Sequence, residues 1–271
     1  MSTVYAGARP ASPARTWLLG ATYRLPPVGL DDVLAHAALD CRTDRKYIVP
    51  LDVLPALVAR LGPRFRVLEI DGRRLFGYQS VYFDTPDLLC YRQHLQDNRR
   101  RFKVRTRTYV DSGDCVLEVK VQGSRSVTVK HRRPHPAGAR FRLDGDAGRF
   151  VAQHTGAAHV PALLRPVLLT TYHRLTLVDL AGGVRITCDA DLVCRSGDRR
   201  VEGLRDRLLV EAKSAGPQRA LTHAFHDLGL RPSALSKYCI GLAMLLDDLR
   251  ANPWQRTMRR HFTADRVGSR R

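Results

Sequence analysis

The chain has 271 residues, 44% hydrophobic and 26% charged, which is enough to bury a core as one large domain or two small ones. Its 45 Lys and Arg outnumber 26 Asp and Glu for a formal net charge of +19, a balance that calls for an anionic partner such as nucleic acid, an acidic membrane or polyphosphate. Six cysteines without a Cys-x-x-Cys pair leave zinc ribbons and redox motifs unsupported, and the apolar runs 17–19 and 240–246 are too short for a secretory signal or a membrane span, so a cytoplasmic protein with reduced thiols is expected.

Residues 1–36 are rich in Ala, Pro and Arg without a clear period and read as a loosely ordered basic arm. Residues 37–250 read as one domain, and residues 251–271, which include Asn252-Pro253, as a basic C-terminal tail. A helix follows Pro50 over residues 51–61. Alternating or β-rich segments predict strands over 78–83, 101–109, 115–121, 127–133, 170–177, 184–189 and 208–213. Turn chemistry separates several of them: Asp111-Ser112-Gly113-Asp114, Gln122-Gly123-Ser124 and Ala181-Gly182-Gly183. Helical spacing returns over 218–228, which stops at Gly229, and over 235–249. Short connections favour antiparallel neighbours, so the expected class is α+β, mostly β, with a barrel or sandwich and a few peripheral helices.

Where the charge sits is more informative than its total. On a strand, Arg101, Lys103, Arg105 and Arg107 share one face while Phe102 and Val104 point the other way. Ser126, Thr128, Lys130 and Arg132 oppose Val127 and Val129; Tyr172, Arg174 and Thr176 oppose Leu175 and Leu177; Arg185, Thr187 and Asp189 oppose Ile186 and Cys188. Several strands thus repeat one design, aliphatic on one side and cationic or hydroxylic on the other. In a sheet that closes, such faces line an interior suited to a long, densely charged anion. The basic strands lack interleaved surface aromatics for base stacking, which disfavours nucleic acid.

A carboxylate two residues before a lysine occurs in Asp44-Arg45-Lys46, Glu118-Val119-Lys120 and Glu211-Ala212-Lys213. Such pairs suit a place where phosphate and a divalent cation meet, because Mg²⁺ or Mn²⁺ takes carboxylate and phosphate oxygens. His223 and His226, three apart near Asp227, read as a solvated helix surface, and Cys239 as core. Tyr82, Phe83 and Tyr109 read as wall packing, while Tyr47 and Tyr172 are open to packing or to contact with a nucleotide base.

From about residue 42 to residue 249 the chain resembles the VTC domain, the polyphosphate polymerase domain of the triphosphate tunnel metalloenzyme (CYTH-like) superfamily. The resemblance rests on Asp44-Arg45-Lys46-Tyr47-Ile48-Val49, Val81-Tyr82-Phe83-Asp84-Thr85, the segment 103–109, Leu117-Glu118-Val119-Lys120 and Lys130-His131-Arg132-Arg133, and then on Tyr172-His173-Arg174, the segment 185–189, Glu211-Ala212-Lys213 and Ser236-Lys237-Tyr238. It implies an antiparallel, eight-stranded, tunnel-like β-barrel in which a nucleoside triphosphate, ATP first among them, extends an inorganic polyphosphate chain with Mn²⁺ or Mg²⁺. Carried over by position, Lys46, Arg105, Arg107, Lys120, Arg174, Arg185 and Lys237 form the catalytic set. Lys103, Lys130, Lys213 and Ser236 are further phosphate contacts. Glu211 is the principal metal ligand, with Glu118 and Asp189 as secondary ones or as partners of neighbouring arginines. Two departures stand out. The hydrolytic members carry Glu-x-Glu-x-Lys where this chain has Arg42-x-Asp44-x-Lys46, which argues against a triphosphatase, and Ala234 stands where polymerases often have a lysine. A triphosphatase-like hydrolase and a non-catalytic polyphosphate- or nucleotide-binding module remain alternatives. No transmembrane segment is expected, and a membrane partner is left open without being indicated.

Overall fold

The computed structural model describes residues 12–36, 43–123, 128–214, 216 and 218–262. Arg42, Ser124, Ser126 and Val127, named above, therefore lie outside the described residues. The strands are β1 (Pro27–Val28), β2 (Thr43–Pro50), β3 (Arg66–Leu68), β4 (Phe76–Asp84), β5 (Phe102–Tyr109), β6 (Cys115–Gln122), β7 (Thr128–Pro134), β8 (Arg165–Asp179), β9 (Val184–Ser196), β10 (Arg199–Gly203) and β11 (Arg207–Ser214). All belong to one sheet whose main path runs β2-β11-β9-β8-β4-β5-β6-β7, with β1, β3 and β10 attached at the side. Every pairing on the main path is antiparallel, as the short connections demand. In the tight turn between β5 and β6, Gly113 takes φ +77 and its N–H donates to the Tyr109 carbonyl at 2.8 Å.

The main path has the expected eight strands, but its ends, β2 and β7, are joined by no ladder among the described residues. The architecture is an open sheet where the sequence reading expected a closed barrel. It is nonetheless strongly curled. Lys120 on β6 and Glu211 on β11 lie five strand spacings apart, roughly 24 Å in a flat sheet, yet each perturbs the other's titration. Lys46 on β2 likewise acts on Lys103 on β5. Charges coupled in this way lie close in space, so β5 and β6 curl round towards β2 and β11. Bulges contribute to the bend: the β8–β9 register shifts between Thr171 and His173, and the β4–β8 register between Tyr82 and Phe83.

The helices are α1 (Pro13–Thr22), α2 (Leu30–His36), α3 (Leu54–Leu61), α4 (Leu89–Leu95), α5 (Gly145–Thr155), α6 (Val160–Leu163), α7 (Arg219–His226), α8 (Lys237–Leu245) and α9 (Gln255–His261). α1, α3 and α7 belong to a core with Tyr47, Val49 and Val210 and, from the aliphatic faces predicted for β8 and β9, Leu175, Ile186 and Cys188. α4 and α5 pack over Val81, Val104, Leu117 and Val119, and α8 over Leu168 and Cys194. None of the described helices is long and apolar enough to cross a membrane.

Two segments differ from the sequence reading. Residues 12–36, expected as an arm without regular structure, form α1, β1 and α2, and Ala14 and Leu18 are fully buried. Burying a leucine contributes about 1.5–3 kcal/mol, enough to fix a helix of weak amphipathic pattern. After Ala251, residues 252–262 form a 3₁₀ turn and α9, with Trp254 and Phe262 buried against the larger core.

Candidate active site

Residues directly opposed on neighbouring strands project to the same face. The registers therefore carry one set of side chains across the sheet. Lys46 faces Glu211, Glu211 faces Thr187, and Asp44, Lys213 and Arg185 form the next row. Arg174 faces Asp189, Ser80 faces Arg107, and Tyr82, Arg105, Glu118 and Arg132 continue in line. Lys103, Lys120 and Lys130 complete the last row. Together with the curl, this turns the period-two charge pattern into a cationic belt on the inner surface.

Three carboxylate centres organise the belt. Glu118, 1% exposed, accepts from Arg105 Nε at 2.6 Å, with Lys130 at 3.8 Å and Arg107 at 4.0 Å. Burial alone would raise its pKa, but Arg105, Arg107, Lys120 and Lys130 overcome this and hold it well below the usual carboxylate range. Asp189, also 1% exposed, takes the fork of Arg174 at 2.6 and 2.8 Å and is bonded by Lys237. Burial opposes ionisation there too, yet Arg174 and Lys237 bring its pKa to about 2. Each carboxylate thus pre-positions cations and is a poor base.

The third centre is different. Asp44 and Glu211, on adjacent strands, share a hydrogen bond. Burial and the Glu211 charge push Asp44 up to about 6. For Glu211, burial is outweighed by Lys213, Lys46, the bond from Asp44 and Lys120, which keep it ionised. Lys213 lies 3.0 Å from Glu211, and Lys46 lies 3.8 Å from Asp44. One proton between two carboxylates marks a place where a cation can sit. Mg²⁺ and Mn²⁺ commonly use one or two carboxylates plus substrate phosphate, so the donor set fits a divalent ion. Among the described residues no group of three or more His, Cys, Asp or Glu gathers to offer a fuller cage.

Aromatic residues hold the arginines in place. Tyr82 Oη accepts from Arg105 at 3.0 Å, and Ser80 and Tyr172 accept from Arg107 at 3.3 and 3.0 Å. Tyr78 stacks on Tyr172 at 5.3 Å, with the Arg107 and Arg174 guanidiniums 5.4 and 5.1 Å from its ring. The sequence reading does not single out Tyr78 or Ser80, and it takes Tyr82 for packing. The period-two alternation of Tyr78, Ser80 and Tyr82 is the signal that could have found them. Tyr47 stacks on Phe225 at 3.9 Å and is 3% exposed, and Tyr172 is 2% exposed among arginines, so neither face is open to a base.

α8 brings in Lys237. Ser236, expected as a phosphate contact, is its N-cap and accepts from the Cys239 N–H at 3.3 Å. Tyr238 next to Lys237 donates to Asp84 and stacks on Tyr82 at 5.2 Å. Asp84 is fully buried and also accepts from the Thr85, Cys90 and Tyr91 N–H groups, so one carboxylate fixes both α4 and α8. Ala234 is exposed, as are His223 and His226, while Cys239 is core.

Comparison with known proteins gives the family. The sequence model of the VTC domain matches residues 41–246, most of the chain. The chain belongs to the VTC-domain family. This span coincides with the motifs from Asp44 to Tyr238 and holds the whole belt. Comparison with curated proteins gave no match. Among solved structures, this VTC domain resembles a putative adenylyl cyclase from Hippeastrum described as revealing a dominant triphosphatase activity. There the TM-score is 0.50 and the identity 15%, covering 77% of this chain and 98% of that one. A putative adenylate cyclase from Vibrio parahaemolyticus gives a TM-score of 0.42 and 11% identity, covering 72% and 94% of the two chains.

Proposed function

We propose that the protein is a metal-dependent polyphosphate polymerase, which transfers the terminal phosphate of a nucleoside triphosphate, ATP in the first instance, to a growing polyphosphate chain. The observation that carries this reading is the continuous cationic belt whose carboxylates, Glu118 and Asp189, are locked by arginines. In this reading Lys46, Lys103, Arg105, Arg107, Lys120, Lys130, Arg174, Arg185, Lys213 and Lys237 hold phosphate oxygens in line. A terminal chain oxygen attacks the γ-phosphorus, the bond to the bridging β,γ-oxygen breaks, and the nucleoside diphosphate leaves. Charge spreads over the transferred group, and fixed cations stabilise it without reorganisation. Asp44 and Glu211 would hold Mn²⁺ or Mg²⁺, which adds further charge neutralisation on the phosphates. We place Glu118 and Asp189 in positioning roles, since a metal at either would have to displace an arginine. The attacking oxygen is already ionised and needs no base, which suits a belt whose buried carboxylates are acids of low pKa.

A second reading, hydrolysis of triphosphate, is favoured by one observation. Asp44 is the one belt carboxylate that reaches solvent and is not locked by an arginine, so it can help orient water. The similarity to the Hippeastrum protein is compatible with it. Incubation of the purified protein with ATP and Mn²⁺, with and without a short polyphosphate primer, separates the two. Long chains that vanish in Glu211→Ala and Arg105→Ala establish the polymerase, whereas phosphate or triphosphate without chain growth establishes the hydrolase. Retained polyanion binding without either product makes the domain a binding module.

A further inference from the structure

Outside the belt, Arg256, Arg259 and Arg260 of α9 share a surface depression of about 480 Å³ with Asn252 and Gln255. All five side chains reach solvent, Arg256, Arg259 and Arg260 among them. The lining offers guanidinium and carboxamide groups, with no carboxylate and no aromatic ring. Spacings of three and four residues put the three arginines on neighbouring positions of the helix surface, where like charges repel unless an anion neutralises them. Nearby acids are turned elsewhere: Asp247 lies 3.5 Å from Arg199, and Asp206 lies 3.5 Å from Arg207. No ion pair reaches the three arginines among the described residues. A further cation stands close, since Arg207 and Arg260 both act on the His261 imidazole.

The helix that carries these arginines is held at both ends. Trp254 is buried and lies 5.7 Å from Tyr91. Phe262 is buried over Gly203, where a Cβ would come within 2.5 Å of its ring. Tyr91 in turn lies 6.4 Å from Tyr238, the neighbour of Lys237. Two ring contacts therefore connect the groove to the end of the belt where α8 enters.

We propose that this groove is a second anion site, which holds linear inorganic polyphosphate outside the curled sheet while another part of the chain occupies the belt. The identity of the polymer rests on the function proposed above; the groove itself does not. A lining made of donors alone suits a bare phosphate chain, whereas single-stranded nucleic acid would also want rings for its bases. The test uses the full chain and the variant Arg256→Ala/Arg259→Ala/Arg260→Ala, with Arg105→Ala for the belt. Affinities are measured for triphosphate, long-chain polyphosphate and single-stranded DNA at several salt concentrations. The triple variant should bind long chains about tenfold more weakly, with the slope of log K against log salt flattened by about 2, as expected for three lost phosphate contacts. Its affinity for triphosphate should be unchanged, while Arg105→Ala weakens both ligands. Unchanged long-chain affinity in the triple variant would overturn the proposal. So would DNA that binds the wild type as tightly as polyphosphate of equal charge and is lost in the triple variant. A wild type that never elongates chains but binds them in an α9-dependent way retains the groove and discards the polymerase.

Discussion

Lys103 shows at the scale of one side chain how a buried cationic site behaves. Burial brings its pKa from 10.5 to about 8; Cys239 opposes the shift, and Lys46, Arg101 and Arg105 reinforce it. Between about pH 8 and 10.5 the folded protein thus binds fewer protons at this site than the unfolded chain, so this group makes the ligand-free protein more stable as pH rises through that window. In the proposed function phosphate binding works the other way, because it needs the ammonium. Triphosphate affinity should fall between pH 7 and 9, and calorimetry in buffers of different ionisation enthalpy should show proton uptake on binding at pH 8. Lys103→Arg should flatten the profile in part, since burial also brings Lys130 to about 8; an unchanged profile in that variant would place the titration elsewhere. Glu118 is the complementary case. Its removal leaves Arg105, Arg107 and Lys130 facing one another without a counter-ion. Breaking a buried pair from one side costs about 3–5 kcal/mol. Glu118→Ala should therefore show that loss in denaturant unfolding, with part of it recovered when triphosphate is present.

The elements are legible where alternation is strict and local. β5, β6, β7, β9 and β11 begin within a residue of the predicted segments, and the inward set on each follows from its period of two. Register is not legible, because it is fixed by pairing between distant segments. That Lys46 meets Glu211 and Asp44 meets Lys213 across β2 and β11, or that Ser80 and Tyr82 meet Arg107 and Arg105, cannot be read from either segment alone. β1, β3 and β10 are too short to show a pattern, and α1 escapes sequence reading because its Ala- and Pro-rich segment gains its order from the core beneath it. Two glycines test how far packing decides an element's stability. Gly20 is an exposed position within α1 where an added methyl group would meet nothing within 4 Å, so Gly20→Ala should stabilise the protein by about 0.5–1 kcal/mol. Gly203→Ala should do the opposite, since its methyl group needs the space of the Phe262 ring. Expelling that ring forfeits about 1.5–3 kcal/mol of burial and frees the end of α9. Thermal melts of the two variants should move in opposite directions.

At the scale of the whole molecule, the curled sheet confines Lys46, Lys103, Arg105, Arg107, Lys120 and Lys130 around an inner surface in a chain already at +19. The carboxylates there do not balance these cations, and Lys120 shows the strain: burial and Arg105 hold its pKa well below the ordinary lysine value, although Glu211 and Glu118 pull it back. The repulsion tends to open the seam between β2 and β7, which no ladder closes among the described residues. In the proposed function a bound phosphate chain would remove the repulsion and bridge strands on both sides of the seam, so that ligand binding and sheet curvature stabilise one another. A ligand at a hundredfold excess over its Kd stabilises the folded state by about 2.7 kcal/mol. For a chain of this size that converts to a rise in Tm of roughly 5–10 °C. Triphosphate should produce such a rise at low salt, and the rise should shrink as added salt competes for the same cations. Hydrogen exchange locates the effect: the amides of β2 and β7 should gain protection on binding, while those of β8 and β9 in the middle of the sheet change little. Protection gained equally in all strands would mean that the ligand stabilises the fold without drawing the two edges together.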